Sequence, residues 1–311
     1  MLDSYGRNIS YLRLSLTERC QLRCSYCSKS DGKQCLKDRE LDKDSLIFAA
    51  EIFGGLGFDK IRLTGGEPLL RRDILEIVSG IKRLNVYKDI AMTTNGVMLF
   101  DLAEELKKAG LDRVNISLDS LDNETYKAVT GSSLDKTLCG IEKAIGTFKK
   151  VKLNTVIIKG VNDASTESFI SFARENPVDV RFIELMPLGN SGVGVKNDEI
   201  LRSYSFLKPC KAESFSEPAR YYTSDGFRGR VGFISPMSAK FCLFCNRMRL
   251  TSDGKLRPCL GNNLEISIAE ELKAKNGDRA KEIIISAILK KTKEGFEKDF
   301  VTERKMNRIG G

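Results

Sequence analysis

The amino-acid sequence predicts an α/β protein: a partial (β/α)6 TIM-like barrel of parallel strands over residues 1–187, then a smaller C-terminal domain over 188–311. Three observations carry this. Short β-branched runs alternate with longer amphipathic stretches as far as residue 186. Six β–α repeats imply parallel strands with right-handed crossovers. The strands whose parity can be read set one apolar face against one polar face.

The first strand, YLRLSLT (11–17), opposes Leu12, Leu14 and Leu16 to Arg13, Ser15 and Thr17. The helical stretch KDSLIFAAEIFGGLG follows, with apolar residues at three- and four-residue intervals, Asp42 and Asp44 as candidate N-caps and Gly57 as a stop. KIRLT (60–64) opposes Ile61 and Leu63 to Arg62 and Thr64, and RRDILEIVSGIKRL is the next helix. IAMTT (90–94) is the third strand, and Gly110 stops the helix behind it. RVNISL (113–118) opposes Val114, Ile116 and Leu118 to Asn115 and Ser117, ahead of the helix LDKTLCGIEKAIGTF. VKLNTVII (151–158) opposes Val151 and Leu153 to Lys152 and Asn154, and VRFIEL (180–185) completes the six.

A doubly wound sheet also fits the repeat, but its strands are buried on both faces and read as continuous apolar runs. An antiparallel sheet with a wet face fits the parity but not the intervening helices. A barrel with a polar lumen satisfies both, and an open one admits a large ligand. Arg13, Arg62 and Lys152 on the polar faces make that ligand anionic. Past residue 187, LGNSGVGVKNDEI is loop-like, Gly-rich turns follow, and the domain is expected to end in a helix near Ala280–Lys291.

Hydrophobic residues make up 41% of the 311 and charged residues 30%, an ordinary globular balance. The polar start MLDSYGRNIS lacks the apolar core of a secretory signal, and no apolar run reaches the length of about 18 that spans a membrane, so the expectation is a soluble cytoplasmic protein. The net charge of +9 is interleaved with acids and by itself selects no partner. Nine cysteines, an odd number without an export signal, argue against a disulfide framework. Cys35, Cys139 and Cys210 stand alone and read as small buried apolar side chains.

The other six cysteines form two groups, Cys20, Cys24 and Cys27 in CQLRCSYC, and Cys242, Cys245 and Cys259 in CLFCNRMRLTSDGKLRPCL, in a chain with no histidine. The first group follows the first strand at its C-terminal end, where barrel active-site loops lie. A structural zinc site wants a fourth ligand. An iron–sulfur cluster can rest on three thiolates and leave one iron open. In RLTGGEPLLRR, Gly65 and Gly66 permit close backbone approach to a ligand and Glu67 is suited to receive an ammonium group; a tight turn opened by Pro68 is the structural alternative. TTNG (93–96), SLDS (117–120) and ELMP (184–187) place further polar or special residues at strand ends.

The spacing C-x3-C-x2-C, with Tyr26 before the last cysteine, resembles the signature of the radical S-adenosylmethionine (SAM) superfamily. Taken with VGFISPMSAKFCLFCNRMRLTSDGKLRPCL and a closing Arg-Ile-Gly-Gly, essentially the whole chain resembles the GTP 3',8-cyclase family of molybdenum cofactor biosynthesis. The resemblance implies that Cys20, Cys24 and Cys27 hold a [4Fe–4S] cluster whose open iron binds SAM, with Tyr26, Gly65, Gly66, Glu67, Ser117 and Met186 around SAM. It implies a second [4Fe–4S] cluster in the C-terminal domain, on Cys242, Cys245 and Cys259, its open iron facing the guanine base. Arg13, Arg62, Thr93, Lys152, Arg247 and Arg249 would hold GTP, with Arg181 a further triphosphate contact; Arg13 and the Gly310–Gly311 dipeptide would act in catalysis, although two glycines at a chain end also fray easily.

The implied reaction takes the ribose 3' hydrogen of GTP with a 5'-deoxyadenosyl radical and joins C3' to C8, giving (8S)-3',8-cyclo-7,8-dihydroguanosine 5'-triphosphate. The implied partners are an electron donor such as a flavodoxin or ferredoxin and a downstream cyclic pyranopterin monophosphate synthase. No nucleic acid or membrane is involved, and a homodimer is compatible. Ser28-Lys29 replaces the family's usual Met-Pro and leaves the adenine-side contacts open. The rival readings are another radical SAM enzyme of the peptide-maturase type, which usually carries more C-terminal cysteines, and a zinc-stabilised nucleic-acid-binding protein, which needs a fourth ligand and leaves CQLRCSYC unexplained.

Overall fold

The structure, a computed structural model, describes residues 1–27, 39–188, 192–212, 216–295 and 304–310. Six parallel strands run in sequence order: β1 (Tyr11–Ser15), β2 (Lys60–Thr64), β3 (Asp89–Thr94), β4 (Arg113–Ser117), β5 (Val151–Ile157) and β6 (Val178–Glu184). Between them lie α1 (Lys43–Gly55), α2 (Ile74–Arg83), α3 (Leu99–Ala109), α4 (Asn123–Thr130) and α5 (Asp135–Thr147), with α6 (Thr166–Glu175) ahead of β6. The chain continues through α7 (Asn197–Arg202), β7 (Lys208–Cys210), β8 (Ala219–Thr223), β9 (Arg230–Ile234), β10 (Arg247–Leu250), β11 (Lys255–Arg257), β12 (Ile266–Ser267), α8 (Ala269–Lys273), α9 (Gly277–Leu289) and α10 (Met306–Ile309).

The parity of the strands decides which side of the sheet is core. Leu12, Leu14, Ile61, Leu63, Val114, Ile116, Leu153 and Val180 are fully buried in one apolar cluster with Leu46 and Phe53 of α1, Ile77 and Ile81 of α2, Leu106 of α3, Ile141 of α5 and Phe169 of α6. The helices therefore cover one face only, and the opposite face, with Arg13, Arg62, Lys152 and Arg181, becomes the lumen. Local signals set the ends of α1 and α3. The Asp42 carboxylate accepts from the Ser45 N–H at 2.7 Å, a cap of about 1 kcal/mol. Gly110 ends α3 in the left-handed region.

Among the described residues, the C-terminal strands do not form a sheet of their own. One sheet of 12 strands runs β12-β11-β10-β1-β2-β3-β4-β5-β6-β9-β8-β7, so residues beyond 188 extend both edges of the six-stranded barrel. β10 pairs parallel with β1, and β9 parallel with β6.

Four expectations change in detail. β6 starts at Val178, because Val178 and Asp179 already pair with β5. The last residues of LGNSGVGVKNDEI are helical, opening α7. The helix expected near Ala280–Lys291 spans Gly277–Leu289 and is not the last element, since α10 follows it. Cys139 is exposed on α5 and Cys210 half-buried in β7, so neither is a core side chain; Cys35, Ser28, Lys29 and Gly311 lie outside the described residues.

Candidate active site

The loop after β1 carries Cys20, Cys24 and Cys27, and its backbone is docked on the Gly65–Gly66 turn. Gly66 N–H donates to the Thr17 carbonyl and Glu67 N–H to the Arg19 carbonyl, both at 2.7 Å. A Cβ on Gly66 would stand 2.3 Å from the Arg19 oxygen, so this position needs glycine to seat the cysteine loop. That is a different reason from the ligand approach expected of it.

Glu67 is fully buried beneath this turn rather than in the cavity wall. Its carboxylate accepts from Leu69 N–H at 3.0 Å, Thr94 hydroxyl at 2.8 Å and Asn95 N–H at 2.7 Å. Burial pushes its pKa up to about 7 against the pull of those donors. Asn95, held in this way, reaches the Cys20 sulfur at 3.7 Å.

A cavity of about 690 Å³ runs through the lumen. At the C-terminal ends of the strands its wall includes Cys20, Cys24, Cys27, Tyr26, Gly65, Gly66, Ser117 and Met186. The Tyr26 hydroxyl donates to Asp119 at 2.7 Å, and burial raises the Asp119 carboxyl to about 6. Burial also raises the Cys20, Cys24 and Cys27 thiols, with the Asp119 charge adding to the shift at Cys24 and Cys27.

Deeper in, Arg13, Arg62, Thr93, Lys152, Arg181, Arg247 and Arg249 line the same cavity. Register makes this convergence: Arg13 stands opposite Arg62 on β2 and opposite Arg249 on β10. Burial, then the neighbouring cations, lower Arg249 to about 10 and Arg13 well below its usual value, while burial lowers Arg62 to about 10 against the opposing pull of Tyr11. Burial, then Arg181, lowers Lys152 to about 7 although Glu217 pulls the other way. Two nearby guanidinium groups are already neutralised in two-point forks, Arg113 by Asp89 and Arg230 by Asp179. By contrast, the buried Nε atoms of Arg62, Arg181 and Arg247 and the Thr93 hydroxyl have no hydrogen-bond partner among the described residues. Buried polar groups are normally satisfied. Uncompensated donors converging on one cavity are what an anionic, oxygen-rich ligand would complete.

Cys242, Cys245 and Cys259 are not among the lining residues, whereas Phe241 and Leu260, next to them in the chain, and Arg247 and Arg249 are. Gly295 draws the first and last together: its N–H reaches the Cys242 sulfur at 3.5 Å, and a Cβ there would lie 2.7 Å from the Cys259 sulfur. Burial would raise the Cys245 thiol, but Lys291, Arg247 and Arg249 pull it below its ordinary value. The Arg7 guanidinium, paired with Asp3, donates to the carbonyls of Cys242, Thr292 and Lys293 and ties the N-terminal segment to this group.

α10 turns into the lumen. Arg304 is paired with Asp253 and Glu265, Arg308 with Glu18, and Asn307 donates to the Glu18 carbonyl. The Gly310 carbonyl accepts from Arg249 at 3.2 Å and Arg13 at 3.5 Å. Gly310 is left-handed, and a Cβ would meet Thr64 and Ser15 at 2.8 and 2.9 Å, so only glycine fits between the two strand ends.

The structure thus brings the expected SAM and GTP residues to one cavity, except Glu67. It adds Asn95, Asp119, Tyr11 and Glu217, which single strand ends do not single out, and Asn154, which strand parity already sets beside Lys152 on the polar face. Asn95 and Asp119 lie inside the quoted TTNG and SLDS segments; Glu217 had no signal.

The fold and this cysteine-lined cavity define a radical SAM protein: residues 14–173 match the radical SAM superfamily, and residues 178–297 match the family described as molybdenum cofactor synthesis C. The chain is 44% identical to the GTP 3',8-cyclase of Alkaliphilus oremlandii over 100% of both chains, and 42% identical to that of Peptoclostridium acidaminophilum over 100% of this chain and 98% of that one. It belongs to the GTP 3',8-cyclase family. Among solved structures, Streptococcus suis SuiB bound to S-adenosylmethionine superposes with a TM-score of 0.63 over 93% of this chain and 73% of that one; at 16% identity this likeness concerns the fold alone.

Membership of the superfamily brings one [4Fe–4S] cluster and SAM. The first cysteine group fits them: three free thiols share the wall of one cavity beside Tyr26 and the Gly65–Gly66 turn. Among the described residues no three Cys, Asp or Glu side chains close on a point as tightly as a single metal ion needs.

Proposed function

We propose that this chain is a radical SAM GTP 3',8-cyclase, forming (8S)-3',8-cyclo-7,8-dihydroguanosine 5'-triphosphate from GTP at the start of molybdenum cofactor biosynthesis. The observation that carries the substrate is the set of uncompensated buried donors, Arg62, Arg181, Arg247 and Thr93, in the same cavity as Cys20, Cys24 and Cys27. The curated relatives' name supports the same substrate.

When bound, the first cluster and SAM supply a hydrogen-abstracting carbon radical. The chain's own residues then position and shield. Arginine forks take the triphosphate two oxygens at a time, in a lumen where little water competes. Tyr26 and Asp119 border SAM. Arg249 and Arg13, holding the Gly310 carbonyl, keep the segment 304–310 against the reacting end of the cavity.

A second [4Fe–4S] cluster on Cys242, Cys245 and Cys259 is part of this proposal. It is supported by the Cys242 and Cys259 thiols, which meet at Gly295, and by the cationic setting of Cys245, which suits an anionic cluster. The reading also includes an electron donor of the flavodoxin or ferredoxin class, a cyclic pyranopterin monophosphate synthase downstream, and a cytoplasmic location. Among the described residues no helix is long and apolar enough to cross a membrane.

The test is anaerobic reconstitution, iron counting, then incubation with GTP, SAM and a reductant. About eight irons per chain and GTP-dependent 5'-deoxyadenosine are expected. Stoichiometric zinc at the second group, or no response to GTP, rules the reading out.

A further inference from the structure

Among the described residues, three carboxylates stand against the cations of the deep cavity, and they are held in two different ways. Asp89 and Arg113 open the neighbouring strands β3 and β4 and form a two-point fork at 2.8 and 2.5 Å. Asp179 and Arg230 are register partners on β6 and β9, forked at 2.9 and 2.6 Å. Both pairs are fixed by the sheet, and breaking either would separate two largely buried charges.

Glu217 is different. It lies on the loop two residues ahead of β8 and meets Lys152 through one oxygen, which also accepts from the Tyr221 hydroxyl at 2.7 Å. Tyr221 in turn accepts from Lys152 at 2.9 Å. Asp179 also stands 3.8 Å from the Lys152 ammonium, but its two oxygens are already held by Arg230. The ammonium and the carboxylate are both nearly sealed from solvent, at 3% and 11% side-chain exposure. Arg181, whose strand neighbour Asn154 lies two residues beyond Lys152, acts on both charges.

We propose that Glu217 is a specificity-determining residue: an internal anion that occupies Lys152 while the cavity is empty and yields it only to a phosphate-bearing nucleotide. This rests on the cyclase reading. A triphosphate reaching Lys152 and Arg181 brings like charge to within a few ångströms of the Glu217 carboxylate, at a cost of several kcal/mol unless that side chain turns away. A contact carried by a loop side chain can be surrendered by a side-chain rotation, whereas the strand-borne forks cannot. A neutral nucleoside lacks the charge to displace the carboxylate and leaves Lys152 occupied. The residue therefore keeps a buried lysine compensated in a dry lumen, and it weakens every ligand that uses Lys152.

The test is GTP binding by equilibrium dialysis to reconstituted protein with SAM and no reductant. Glu217→Gln is expected to tighten GTP about tenfold and to leave guanosine unchanged, with Glu217→Asp intermediate. In a Lys152→Met background the Glu217→Gln change is expected to fall below about twofold, because the competition has lost its object. GTP binding that is unchanged or weaker in both Glu217 variants overturns the proposal, since it makes Glu217 a bystander or a direct substrate contact. An equal gain in the Lys152→Met background also overturns it. Should the unsubstituted protein bind no GTP, the cyclase reading fails first; a failure confined to the Glu217 variants leaves that reading standing.

Discussion

The two three-cysteine groups occupy opposite electrostatic surroundings. The first sits on the loop after β1, on the cavity wall, with the buried carboxyls of Asp119 and Glu67 behind it, and its thiols are raised by burial. The second is not among the lining residues, and Lys291, Arg247 and Arg249 hold its Cys245 low. Cluster potentials follow net charge, hydrogen bonds to sulfur and exposure. The first group therefore has acidic neighbours and the second cationic ones, a difference in local charge that favours the more negative potential at the first.

Removing either group breaks the comparison most completely. A Cys20→Ala, Cys24→Ala, Cys27→Ala triple variant is expected to lose SAM cleavage altogether. A Cys242→Ala, Cys245→Ala, Cys259→Ala variant is expected to fall from about eight to about four irons while keeping SAM cleavage. Loss of all iron from the second triple would show that the groups are not independent.

Gly66→Ala comes next. Its Cβ would collide with the Arg19 carbonyl, so we expect loss of the first cluster's absorbance at a destabilisation of about 1–3 kcal/mol, with the second group's iron retained. Arg249→Ala is expected to weaken GTP about 10- to 100-fold by equilibrium dialysis and to spare substrate-free SAM cleavage. If instead the first cluster's spectrum is lost, Arg249 supports the wrong half of the comparison.

Redox titration followed by electron paramagnetic resonance sharpens it further. The second cluster is expected at the more positive potential, and Lys291→Met, which removes a buried cation beside Cys245, is expected to lower that potential only.

The smallest effect is a pH slope. Glu67 rises from 4.5 to about 7 on burial, so the folded state binds its proton more tightly than the unfolded chain does. Its contribution to stability is full below about 4.5, falls as pH rises and is gone above about 7. The melting-temperature difference between the unsubstituted protein and Glu67→Gln is expected to vary in that window and be flat above it.

Much of this was legible because strand parity is a local signal. Leu12 and Leu14 against Arg13, or Val151 and Leu153 against Lys152, sort core from lumen without any knowledge of neighbours. The same alternation in Arg247-Met248-Arg249-Leu250 marks a strand of the same kind, but that it lies beside β1 is a contact across more than 230 residues, which no window of sequence displays. The surroundings of Glu67 are hidden for a related reason. A carboxylate next to two glycines suggests a ligand, yet the short turn at Pro68–Leu70 points it inward, where Thr94 and Asn95 of the next strand end claim it. Glu217 and its bond to Lys152 were invisible, because a loop glutamate announces no partner.

The place of β10 beside β1 bears on how this protein can be divided. A chain ending near residue 187 would leave β1 and β6 as bare edges, with rows of unpaired N–H and C=O groups open to any passing strand. The piece left over would hold β9 and β10, which in the whole protein lie on opposite flanks of the barrel and share no pairing. The two pieces could be made as separate polypeptides only if they reunited by strand addition, and a successful split would restore Arg13 and Arg249 to register in the same step.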